Sequence, residues 1–105
     1  MSLPEVDITW DAAKASSNLA KHGVSFAQAG TVLLDPLALT VFDVAHSDAD
    51  ERWFTLGTAG GGELLAVSHT YQPIGQTRAQ VRIISARKAT RREREQYESN
   101  EHNGR

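Results

Sequence analysis

Apolar and polar residues alternate in EVDITW (5–10): Val6, Ile8 and Trp10 fall on one side, Asp7 and Thr9 on the other. That is the period of a half-buried strand. The pattern then changes. DAAKASSNLAKHG (11–23) predicts a helix, with Asp11 able to take up the free N–H groups of its first turn and Gly23 as its left-handed end. Ser25 and Gln28 form a capping box for a second short helix, whose apolar stripe is Phe26, Ala29, Leu33 and Leu34. Asp35-Pro36 stops it, because the residue before a proline is pushed out of helical geometry.

Four more strands follow: LALTVFD (37–43), RWFTLGT (52–58), ELLAVSHTYQ (63–72) and RAQVRIISAR (78–87). AGGG (59–62) and PIGQ (73–76) are the expected hairpin turns, and VAHSDADE (44–51) is a polar, acidic loop. Thr90 and Glu93 make a second capping box, opening a short C-terminal helix over about 91–99. The order predicts one α+β domain over 1–99 with a frayed tail at 100–105. Two N-terminal helices should pack on a mostly antiparallel sheet of 4–5 strands, leaving the other face partly open. The last helix, RREREQYESN, has no apolar stripe beyond Tyr97, so burial does not account for it.

Charge changes the picture more than composition does. The net charge is −2, but residues 1–51 carry two lysines against eight carboxylates, and residues 52–105 carry nine basic groups against five acids. The window 78–94 alone holds seven Lys or Arg and one Glu. Such lopsidedness suggests a surface facing a polyanion, although halves of a sequence need not map to separate faces. There is no cysteine, hence no disulfide or thiolate metal site, and no apolar run approaches a membrane span of about 18 residues. The N-terminus has no basic leader or apolar secretory core, so the expectation is a soluble, cytoplasmic protein.

Several chemistries are disfavoured. The histidines at 22, 46, 69 and 102 have no H-x-x-x-H or H-E-x-x-H spacing. HSDADE (46–51) is only faintly like a calcium loop, lacking the glycine and the closing glutamate. The expectation is no metal and no cofactor. GTAGGG lacks the lysine of a phosphate loop, and Ser68-His69 has no nucleophile-elbow context. What remains is metal-free chemistry on a polyanion. RNA carries its own nucleophile, the 2′-hydroxyl, and needs a base, an acid and cations on the phosphate. Arginine suits the last task because its fork offers paired donors and a permanent charge.

Alternation places the candidates. Val81, Ile83 and Ser85 should face one way and Arg82, Ile84 and Ala86 the other, so Arg82 projects from the open face. Arg87 has the opposite parity and joins it only if the strand bends near Ala86. Leu65, Val67, His69 and Tyr71 share one side of the neighbouring strand. Each candidate has a plainer role. Lys21 and His22 complement a helix C-terminus, Glu51 and Arg52 could be a surface ion pair, and Tyr71 and Tyr97 rim packing. Arg82, flanked by Val81 and Ile83, must face solvent, a partner or a ligand.

Three blocks sharpen this. ITWDAAKASSNLAKHGVSFAQA (8–29), DERWFTLG (50–57) and RIISARKATRREREQYE (82–98) resemble, in order and over almost the whole chain, the BrnT toxins, a branch of RelE-like ribonucleases of type II toxin–antitoxin systems. The segment YQPIGQTRAQVRII is longer than the corresponding link in the family. The resemblance implies a RelE-like toxin that cuts RNA and halts translation. It also implies a cognate BrnA-like antitoxin of ribbon-helix-helix type, in a heteromer of a toxin dimer with an antitoxin dimer that meets operator DNA only through the antitoxin. By position it points to Glu51 as base, to Arg52, Arg82 and Arg87 as phosphate and transition-state binders, and to His22 or Tyr97 as acid. Lys21, Lys88, His69 and Tyr71 would hold the RNA. The alternatives are a non-catalytic toxin-like module acting only as partner of a DNA-binding antitoxin, and a generic small α+β domain.

Overall fold

The computed structural model of the chain describes residues 5–46 and 51–103. Along it run β1 (Glu5–Trp10), α1 (Ala12–His22), α2 (Phe26–Gly30), a 3-10 turn (Thr31–Leu34), β2 (Leu39–Phe42) and a second 3-10 turn (Val44–His46). Then come β3 (Arg52–Thr58), β4 (Leu64–Thr70), β5 (Gln72–Ile74), β6 (Arg78–Lys88) and α3 (Arg91–Asn103). The strands form one mixed sheet in the order β1-β6-β4-β3-β2, with β5 pairing the start of β6. β1 lies parallel to β6, and the other pairings are antiparallel.

The α+β class is the expected one, but the sheet has six strands rather than 4–5. ELLAVSHTYQ does not run straight through; it breaks at Tyr71, and Pro73 sits in β5 opposite Ala79 instead of opening a turn. Proline is tolerated there because β5 pairs along one side only, so its missing N–H leaves no gap in a ladder. The reversal falls at 75–77, where Gly75 takes φ 72°. The helical layer also differs, having three pieces where two helices were predicted. Gly30 and the β-branched Thr31 and Val32 are poor helix formers, and the Thr31 hydroxyl donates back to the Gln28 carbonyl at 2.7 Å, so the helix tightens into a 3-10 turn. α3 runs past its expected end at 99 to Asn103.

α1, α2 and the 3-10 turn cover one face of the sheet. Their core joins Val24, Phe26, Ala29 and Val32 to Leu65, Val67, Ile83 and Ala86, with Ile8 and Ala15 packed at its margin. The fully buried Val, Leu, Ile and Phe side chains among these stabilise by about 1.5–3 kcal/mol each.

The highly charged helix α3 has an apolar reason to dock after all, and it docks on the opposite face. Tyr97 is 8% exposed and packs with Leu56, Leu64 and Ala66, bordered by Leu39, Phe54 and Ala89. Its hydroxyl donates to Asp35 Oδ2 at 2.6 Å and accepts from Thr58 Oγ1 at 3.1 Å. Asp35 also accepts the N–H groups of Thr58 at 2.8 Å and Leu37 at 2.9 Å. Burial alone would raise the Asp35 pKa, but these donors outweigh it and hold the carboxyl below its usual range. Gly57 makes the approach possible, since a Cβ there would lie 2.9 Å from Val32 Cγ1 and 3.2 Å from Asp35 Oδ2. One tyrosine thus supplies what the missing stripe did not.

Candidate functional site

The site depends on one irregularity in β6. Ser68 pairs with Ser85, but the next residue, His69, pairs with Ile83, leaving Ile84 as an extra residue. A bulge of this kind reverses the side-chain alternation beyond it. Val81, Ile83 and Ala86 therefore all face the helices, each 1–2% exposed, whereas strict alternation put Ala86 with Arg82. Arg82 and Arg87 consequently share the opposite face, which is the bend that the sequence pattern left as a condition. Asn18 secures the arrangement. From α1 its amide donates to the carbonyls of Ala86 at 2.8 Å and Val24 at 3.0 Å, and its Oδ1 accepts the Ala86 N–H at 3.1 Å.

On that face a cleft of about 480 Å³ opens beside Arg82. Its floor comes from β6 and β1, where Arg82 lies opposite Thr9 with Gln80 one pleat away. Its wall is the β4–β5 break, with Thr70, Tyr71, Gln72 and Pro73, and Glu51 stands at its rim. The convergence follows from register: Arg52 pairs with Thr70, setting Glu51 near Tyr71, and the Thr70 hydroxyl accepts the Arg82 N–H at 3.1 Å. An exposed carboxylate and a guanidinium thus border one cleft wide enough for a ligand. Arg52 opens β3 with the parity of Phe54 and so belongs to the same face.

Arg87 is held in place further along. It forms a forked pair with Glu93 at 2.8 and 2.9 Å and lies 5.9 Å from the centre of the Phe54 ring. The Thr90–Glu93 capping box is present, with each side chain accepting the other's N–H at 2.9 and 3.1 Å. Hydrogen bonding to Arg87 lowers the Glu93 pKa from 4.5 to about 2, and the same contact raises that of Arg87. Because the folded value lies below the unfolded one, this contribution to stability is complete above pH 4.5 and disappears as pH falls towards 2. Urea unfolding of Glu93→Gln across that window is expected to show a flatter pH dependence than the parent chain. Parallel profiles for the two proteins would count against the pairing.

The remaining predicted residues lie elsewhere. Tyr97 is buried beneath α3, as described, and His69 is buried on the helix-facing side at 2% exposure. Its Nδ1–H donates to the Thr70 carbonyl at 2.9 Å, so Nε2 accepts the Thr55 hydroxyl at 2.7 Å. Burial keeps the imidazole below its usual pKa, against the pull of the Thr70 bond. Lys21 and His22 are exposed at the end of α1, in the helical layer. Lys88 is paired with Glu63 at 3.5 Å. The structure therefore brings Glu51, Arg52, Arg82, Arg87 and Tyr71 to one face and does not bring Lys21, His22, His69 or Tyr97 to the cleft. Most of the acidic loop, 47–50, lies outside the described residues.

Three contributors were missed by sequence reasoning: Asn18, Gln72 and Gln80. Asn18 carried a signal, being a polar residue among the apolar positions of α1. The glutamines carried none, because an exposed Gln on a strand looks like ordinary solvent-facing surface.

Comparison with known proteins gives a consistent result. Residues 10–93 match the family model described as ribonuclease toxin, BrnT, of type II toxin-antitoxin system. The 1.1 Å crystal structure of the Brucella abortus ribonuclease toxin BrnT is similar at a TM-score of 0.58 and 30% identity, covering 82% of this chain and 99% of that one. A search of curated proteins gives no match.

Proposed function

The chain belongs to the BrnT family of ribonuclease toxins of type II toxin–antitoxin systems, and from that premise we propose that it cuts RNA internally, without a metal, at the open face of its sheet. The observation that carries this is the meeting of Glu51 and Arg82 at one cleft, with Arg87 turned to the same face by the β6 bulge. Glu51 takes the proton of a 2′-hydroxyl, the 2′-oxygen attacks phosphorus, and the P–O5′ bond breaks. The products are a 2′,3′-cyclic phosphate and a 5′-hydroxyl, whose oxygen takes its proton from water in the open cleft. Arg82, with Arg52 beside it, balances the charge that builds on the phosphorane. Arg87 joins when phosphate displaces the Glu93 carboxylate.

Several further properties belong to this reading. The family implies an antitoxin partner; we take it to be BrnA-like, with a ribbon-helix-helix DNA-binding part, and to join the toxin as dimer with dimer, reaching operator DNA only through the antitoxin. The RelE-like kinship, the inhibition of translation and a cytoplasmic setting, where the RNA is, come with it. Among the described residues no helix is long and apolar enough to cross a membrane.

The test is induction in a bacterial host with and without the antitoxin, followed by cleavage of RNA by the purified toxin in EDTA. Growth arrest relieved by the antitoxin, and cleavage that persists in EDTA, are the expected results. Cleavage abolished by EDTA would remove the metal-free mechanism. Intact RNA together with tight antitoxin binding would leave the non-catalytic partner role.

A further inference from the structure

The cleft contains more than phosphate chemistry requires. Gln72 and Gln80 sit directly opposite one another across the β5–β6 pair, both exposed and both lining the cleft. Among the described residues neither amide has a hydrogen-bond partner. Tyr71, 39% exposed, stands at the strand break beside them, and Arg82 is one pleat along β6 from Gln80. An amide presents one donor and one acceptor in a plane, the complement of the N6–H and N7 edge of adenine. Facing amides can hold both the Hoogsteen and the Watson–Crick edges of one purine. Proteins read single-stranded RNA in this way, stacking a splayed base on an aromatic ring and bonding its edges.

We infer that the cleft is a base-reading subsite: an adenine of single-stranded RNA, next to the scissile phosphate, stacks on Tyr71 and is recognised by Gln80 and Gln72. The inference rests on the ribonuclease reading above for its placement beside the scissile bond. The volume agrees, since 480 Å³ lies within the roughly 300–1,000 Å³ typical of ligand pockets. The β4–β5 break supplies the wall, and the β5–β6 pairing sets Gln72 against Gln80, so this hairpin is the element that builds the subsite.

The probe is a short oligouridine, labelled for fluorescence anisotropy, with one central position varied among the four bases and 2′-deoxy sugars throughout to block cleavage. The expected result is adenine bound about tenfold or more tighter than guanine or cytosine. Gln80→Ala and Gln72→Ala should each reduce that preference and the double variant erase it. Tyr71→Ala should weaken all four probes alike, by roughly tenfold, and Tyr71→Phe should restore them. Absence of a base preference in the parent chain, or a preference surviving in the double variant, overturns the subsite. Fully ribose versions of the same oligonucleotides run alongside. If they stay intact while the adenine preference follows the glutamines, the subsite stands and the ribonuclease reading falls. Cleavage indifferent to the neighbouring base sinks the subsite alone.

Discussion

Arg82→Ala is expected to slow RNA cleavage by roughly 10²–10³-fold, the usual loss when one group that stabilises transition-state charge is removed. The loss should fall mainly on kcat, because Arg52 remains on the same face to attract the backbone. Arg82→Lys should recover only part of the rate, since an ammonium keeps the charge but not the planar fork. The side chain is exposed, and the bond from its backbone N–H to Thr70 survives the substitution, so folding should be little affected. Single-turnover cleavage of a labelled RNA, beside a urea unfolding curve for each variant, separates the two effects. An alanine variant that cuts as fast as the parent would remove Arg82 from the chemistry.

The largest effect on stability is expected at Asn18. Its buried amide makes three hydrogen bonds, two of them to the backbone of Ala86 just beyond the bulge. Asn18→Ala leaves the Ala86 N–H and C=O buried without partners, at about 1–3 kcal/mol each. Against the roughly 5–15 kcal/mol that stabilises a domain of this size, that is a major fraction. Asn18→Asp keeps the acceptor but loses both donated bonds and sets a buried carboxylate against the Val24 and Ala86 carbonyls, so it should be at least as destabilising as alanine. The measurement is the urea midpoint at neutral pH. A midpoint for Asn18→Ala equal to that of the parent would show that the clip is dispensable. Because the clip holds the strand where it changes parity, the variant should also cleave more slowly at temperatures where it remains folded.

Much of this fold was legible in the sequence because local chemistry and global position agree. Asp11 and Ser25 cap their helices, Gly23 ends α1 at φ 68°, and the Thr90–Glu93 box opens α3, each at its predicted place. Alternation set Arg82 on the open face correctly. It failed three residues later, because a bulge depends on how two strands pair and leaves no mark in either strand alone. The role of Tyr97 was hidden for a similar reason. One aromatic on a charged helix is not a stripe, and its partner Asp35 lies 62 positions away. Glu93 illustrates a third kind of blindness. The capping box was readable, but not the same carboxylate's grip on Arg87, which needs the strand and the helix brought together in space.

The proposed chemistry requires substrate to lie on the face shared by Arg82 and Arg87. The decisive experiment is amide NMR of the isotopically labelled protein, titrated with a 2′-deoxy-blocked oligonucleotide. The largest shifts are expected at Thr70, Tyr71, Gln72 and 80–82, with a second group at Arg87 and Glu93 as phosphate displaces the carboxylate. Shifts confined to Lys21, His22 and Gly23 at the end of α1, with the cleft residues unmoved, would contradict it.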